Sequence, residues 1–214
     1  MKAFSVVLCF WLAGCAAQDW NVRARGPVGI EDHFKGCATE MVFVPAEGLR
    51  KWVPEGFTVR DPGRVGVASF NCRYSKMEAG PVAFAMVVVM IEKPGKVFDP
   101  GIVDVYEVAR VTSGKKQEEM LRALGYRIHE HNEMFPHTAW ALQKYDLKGM
   151  HVRVWHQDVY TLMYFKEHTS SIGALGNCRI PEGSLVFEMA GRSDCNGGSV
   201  QTTSGVDLSV LIRI

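Results

Sequence analysis

The ten residues Val82-Ala83-Phe84-Ala85-Met86-Val87-Val88-Val89-Met90-Ile91 are apolar without a break. As a helix they would rise about 15 Å, half of what a bilayer core requires. Their β-branched content instead suits a central strand covered on both faces. Side chains alternate along a strand, so Phe84, Met86, Val88 and Met90 share one side. If the strand belongs to a hollow barrel, this set lines it. If the interior is filled, the same four are core.

The flanking sequence keeps the strand character. Val65–Tyr74 alternates, with Cys72 near its end, and Thr39–Val44 reads as an earlier strand. Between them, Ala46–Val53 suits one or two helical turns, stopped by Pro54-Glu55-Gly56. Val103–Val111 continues the strands. Ser113–Leu124 is the best helix: Ser113 can cap it, Gln117, Met120, Leu121 and Leu124 fall at helical spacing, and Gly125 takes the position after its end. Further strands are expected at Tyr126–His131, Thr138–Tyr145, His151–Trp155, Val159–Lys166, Leu185–Ala190 and Val206–Ile212. The expected class is mainly β: one antiparallel barrel or cone, or a two-sheet sandwich, with two or so short helices.

The N-terminus has a different character. Lys2 precedes an apolar run from Ala3 to Ala13 that is too short to span a membrane and has the length of a signal-peptide core. It ends in Leu12-Ala13-Gly14-Cys15, which resembles the lipobox of bacterial lipoproteins. That implies cleavage before Cys15 and lipid on its thiol. An ordinary secretory signal cut after Ala16 or Ala17 is the alternative. The organisation expected is a leader over residues 1–14, a tether over 15–30 and one β domain over 31–214. The expected location is the cell envelope, at the outer membrane facing the periplasm, with the membrane as a partner through the lipid.

Removing the leader leaves 200 of the 214 residues, enough for one domain with a substantial core. Lys2 is the leader's one charge, so 23 basic residues face 23 acidic ones in the remainder. That balance carries no electrostatic footprint for nucleic acid. Beyond Cys9 and Cys15, four cysteines remain in what would be an oxidising compartment. Of three pairings, the local ones, Cys37–Cys72 and Cys178–Cys195, are favoured over the others, with buried free thiols as the alternative.

Ala46–Asp61 (AEGLRKWVPEGFTVRD), with Arg25-Gly26-Pro27 before it, resembles the acetoacetate decarboxylase superfamily. The resemblance covers about residues 25–95. It implies a barrel or cone with an internal cavity. The family's chemistry rests on adjacent lysines after a proline, one of which forms a Schiff base while its neighbour lowers its pKa. Lys115-Lys116 is an adjacent pair, but Gly114 stands in the proline's place. By order of strands, Gly125-Tyr126-Arg127 is the better match, and Arg127 keeps its proton and cannot attack a carbonyl. Arg127 therefore suits holding a carboxylate through paired hydrogen bonds. Efficient acetoacetate decarboxylation is not expected.

Other charged residues offer weaker signals. Asp104, Glu107 and Arg110 can supply an acid, a base and an anion clamp, or be solvated strand charges. His129-Glu130-His131 places two imidazoles on one strand face, which with His137 or Glu133 can bind a transition metal or be an exposed polar stretch; the ligand order of a cupin-type site is not met. No serine sits in a Gly-x-Ser-x-Gly elbow. No metal and no cofactor is expected. The leading reading is a lipid-anchored protein whose barrel binds a small apolar or carboxylate ligand through Arg127, Phe84, Met86, Met90 and Glu107. The alternatives are an enzyme of the same superfamily acting on a keto acid through Lys115 and Lys116, and an envelope interaction protein with a filled core and no ligand. Oligomeric state is left open.

Overall fold

The computed structural model of the chain describes residues 28–92, 102–126, 128, 137–147, 149–157, 159–195 and 197–213. The leader, Cys15, Arg127 and the His129-Glu130-His131 motif lie outside the described residues.

The strands are β1 (Val28–Pro45), β2 (Thr58–Val59), β3 (Arg64–Ser75), β4 (Gly80–Glu92), β5 (Ile102–Thr112), β6 (His137–Leu147), β7 (Met150–His156), β8 (Val159–Phe165), β9 (His168–Arg179), β10 (Asp194–Cys195) and β11 (Ser199–Arg213). The helices are α1 (Lys115–Ala123) and α2 (Leu185–Ala190), with a 3-10 turn at Leu49–Trp52. Seven strands, in the order β1-β3-β4-β5-β7-β8-β11, close into a barrel through the β1–β11 pairing. The neighbours are antiparallel except β5 and β7, which run parallel. A parallel pair needs a long crossover, and α1 and β6 lie in it. β9 continues the sheet from β11 and carries β6 on its other side.

The apolar run quoted above becomes β4, and both of its faces are buried. Phe84, Met86 and Val88 point into the barrel with Phe70 and Phe165. Val87, Val89 and Ile91 point outward into a second core under Leu49 and the α2 residues Val186 and Met189. Met90 packs at the margin of the interior cluster. Phe70 and Phe84 stack with centroids 4.5 Å apart, and Phe34 and Phe165 tilt against them. These rings fill the middle of the barrel. Beyond them a void of about 20 Å³ lies among Met41, Ala68, Phe70, Met150 and Phe165, room for about one water.

Both local cysteine pairings appear. Cys178 and Cys195 are register partners on β9 and β10 with Cα atoms 5.2 Å apart, and Cys37 on β1 bonds Cys72 on β3.

Two local expectations need correction. Leu185–Ala190 is a helix, not a strand: Ser184 caps it by accepting from the Phe187 N–H, and Gly191 ends it with φ 69°. The helix α1 begins after Gly114, and Ser113 does not cap it. Ser113 Oγ instead accepts from the Ala83 N–H. The carboxylate of Glu78, from the turn between β3 and β4, accepts from the Gln117 N–H at 2.7 Å and supplies the missing cap. Gly125 does follow the helix, in the left-handed conformation at φ 81°.

A buried ion pair inside the barrel

The local backbone of β5 decides the site. Opposite β4, Met90 pairs with Val105, Val88 with Glu107 and Met86 with Arg110. Glu107 and Arg110 are three residues apart, so a regular strand would point them to opposite faces. A register shift between Val87 and Val88 inserts one extra residue in β5. That bulge turns both side chains inward.

Inside, they form a bidentate pair. Arg110 Nε donates to Glu107 Oε1 at 2.6 Å, and Nη2 donates to Oε2 at 2.7 Å. Only 4% of Arg110 and 1% of Glu107 are exposed. Nη2 also reaches Met86 Sδ at 3.1 Å, while the guanidinium lies over the rings of Phe84 and Tyr126. Nη1 takes no part in the fork. Burial opposes the charge of Arg110, but the Glu107 carboxylate beside it outweighs this and raises its pKa above the ordinary value.

Tyr126 and His156 complete the cluster. The Tyr126 hydroxyl meets Thr161 Oγ1 at 3.3 Å, and its ring stacks on His156 at 4.2 Å. Burial, and then the nearby Glu107 charge, push the Tyr126 phenol up to about 12. His156 Nε2 donates to the Gly125 carbonyl at 2.9 Å, which places the proton on that nitrogen. Its Nδ1 is buried without a hydrogen-bond partner among the described residues.

The structure thus brings together Glu107, Phe84 and Met86 from the sequence reading, with Met90 nearby. Arg110 joins Glu107 as a buried partner and not as a solvated charge. Asp104 does not join them: it lies outside the barrel, where it takes a fork from Arg153 and a hydrogen bond from the Trp155 indole. Lys115 and Lys116 are exposed at the start of α1, and every lysine among the described residues is exposed. Tyr126, Thr161 and His156 were missed as site residues. Tyr126 had one signal, its position between Gly125 and Arg127; the other two had none.

The fold has known counterparts. It is similar to the enduracididine biosynthesis enzyme MppR complexed with the condensation product of pyruvate and imidazole 4-carboxaldehyde, with a TM-score of 0.56 and 8% identity over 88% of this chain and 89% of that one. MppR complexed with pyruvate superposes with a TM-score of 0.52 and 10% identity, over 86% and 91% of the two chains. Acetoacetate decarboxylase from Legionella pneumophila gives 0.50 and 8% identity, over 88% of each chain. The chain therefore has the acetoacetate decarboxylase-like fold, as the resemblance in Ala46–Asp61 implies. At these identities the likeness is one of fold. No protein-family model and no curated protein sequence matches the chain.

Proposed function

We propose that this chain is an exported protein, lipid-anchored to the envelope through Cys15, whose barrel binds a small carboxylate with an apolar body. One observation carries the ligand reading: the Arg110–Glu107 pair in the barrel interior. A buried ion pair contributes little net stability, because removing two charges from water costs several kcal/mol per ion. Well-packed apolar residues would serve a purely structural core as well or better. A guanidinium held in a dry, aromatic-lined interior does suit a carboxylate, through Nη1, which lies outside the fork, or by exchange with Glu107. The Phe84 and Met86 side chains would take the apolar part. The lipid reading rests on the leader and on Leu12-Ala13-Gly14-Cys15.

Calorimetric titration with pyruvate, the small 2-keto acid in one MppR complex, and with longer 2-keto acids tests the binding. Wild type should bind, Glu107→Gln should bind more tightly by freeing Arg110, and the apolar double variant Glu107→Leu/Arg110→Met should not bind. Equal heats from wild type and the double variant would refute the reading. The stacked phenylalanines and the small void favour a second reading, an interaction protein with a filled core. Absence of binding by every acid tried would select it.

A further inference from the structure

The strand β6 has an unusual surface. Every residue from Thr138 to Asp146 is exposed. Trp140 is 64% exposed, Leu142 50% and Tyr145 44%. β6 pairs with β9 on one side, and no strand among the described residues pairs with its other edge. A long edge strand presents a row of backbone donors and acceptors that can pair with another chain. We propose that β6 pairs antiparallel with β6 of a second copy of this chain, joining two sheets about a two-fold axis beside Tyr145.

The charges select that register. In an antiparallel pair, directly opposed side chains share a face. A two-fold axis perpendicular to the sheet must therefore set one residue opposite its own copy. Centring on Lys144 opposes two lysines, and centring on Asp146 opposes two aspartates; like charges directly opposite destabilise. Centring on Leu142 or Gln143 runs the pairing across the bulge at Ala141, whose φ is 52°. Centring on Tyr145 avoids the bulge and sets each Lys144 opposite the Asp146 of the other copy. Two ion pairs then flank a tyrosine pair, a favourable cross-strand contact. Asp146 is exposed, and among the described residues its Oδ1 accepts from the Thr169 hydroxyl at 2.6 Å. Tyr145 lies on the opposite face from these charges, where its hydroxyl donates to Gln143.

Oxidative crosslinking of the purified full chain, with Cys9 and Cys15 replaced by serine so that neither thiol crosslinks, tests the proposal. In this register the two Tyr145 Cα atoms lie about 5 Å apart, within disulfide reach. Tyr145→Cys should therefore give a covalent dimer on a non-reducing gel. The two copies of Ala139, six residues from the axis, lie about 40 Å apart, so Ala139→Cys, also at an exposed position, should stay monomeric. Adding Lys144→Asp to Tyr145→Cys should weaken dimerisation about tenfold. Adding Asp146→Lys as well should restore it, since the ion pairs re-form with reversed sign, and this rescue also shows that the variants fold. The proposal is overturned if Tyr145→Cys stays monomeric, if Ala139→Cys crosslinks as well, if Lys144→Asp has no effect, or if the charge swap fails to restore the dimer.

Discussion

Replacing Arg110 with methionine should destabilise the protein far more than the loss of one surface charge would. The guanidinium gives Glu107 two short charge-assisted hydrogen bonds, and both side chains are almost fully excluded from water. Removing the cation leaves a carboxyl group among Met86, Val88 and Phe84 with neither water nor fork. Breaking a buried pair from one side costs about 3–5 kcal/mol. For a domain of this size that lowers Tm by roughly 10–15 °C. Glu107→Leu should cost a similar amount, since Arg110 is then stranded. The double variant Glu107→Leu/Arg110→Met removes both charges together and should return to within about 1 kcal/mol of wild type or exceed it. Urea unfolding of the disulfide-intact proteins, followed by far-UV circular dichroism, measures all four corners of the cycle. Single variants that each lose less than about 1 kcal/mol, with additive effects in the double, would refute the reasoning; the pair would then be solvated or uncoupled.

Three further outcomes follow from other parts of the molecule. Peptide mapping without reduction should recover Cys37 joined to Cys72 and Cys178 joined to Cys195, and replacing both members of the second pair, 17 residues apart, should cost on the order of 3 kcal/mol; a peptide joining Cys37 to Cys195 would overturn the pairing. Tyr126 should ionise late in a UV titration, near pH 12. Because its folded pKa is raised above the unfolded value near 10, the stability it contributes is complete below pH 10 and lost as pH rises through 12. Tyr126→Phe should therefore flatten the alkaline fall in stability. Cys15→Ala should abolish detergent partitioning and acyl mass, since stable attachment requires more than one acyl chain; a wild-type protein that starts at Ala17 or Gln18 without acyl mass would sink the lipid anchor.

The parts of the fold that were readable in advance are those whose burial is uniform along the chain. β4 is covered on both faces, so its composition alone marks it as central. Leu185–Ala190 misled because six residues, five of them apolar, are too few for periodicity to separate helix from strand. The usable cues were its neighbours, Ser184 as a cap and Gly191 as a stop. β9, HTSSIGALGNCR, carries small and polar residues without alternation. It becomes a strand through β11 and β6 on its two sides, information that its own residues do not hold. The site was hidden by a different effect. Strand alternation places Glu107 and Arg110 on opposite faces, and only the extra residue opposite Val87 and Val88 brings them together. A bulge of that kind leaves no mark in composition.

The pair also sharpens what the barrel interior can do chemically. Schiff-base chemistry requires an amine that can be neutral near pH 7 inside a dry pocket. Among the described residues the cation inside the barrel is Arg110, and the Glu107 carboxylate drives its pKa further upward, away from any role as a nucleophile. The same carboxylate that disables such a role also holds the guanidinium in a fixed plane, with Nε and Nη2 committed to the fork and Nη1 outside it. A ligand carboxylate arriving there meets a donor already oriented by its neighbour, so less entropy is lost on binding. It also meets the repulsion of Glu107, which only a ligand able to displace that carboxylate or share the cation can overcome. Affinity for simple carboxylates should therefore be weak in wild type and rise when Glu107 is neutralised. A filled, ligand-free core predicts no change. The sign of the Glu107→Gln effect on keto-acid binding thus separates a site held in check by its own counter-ion from a pair that only fills space.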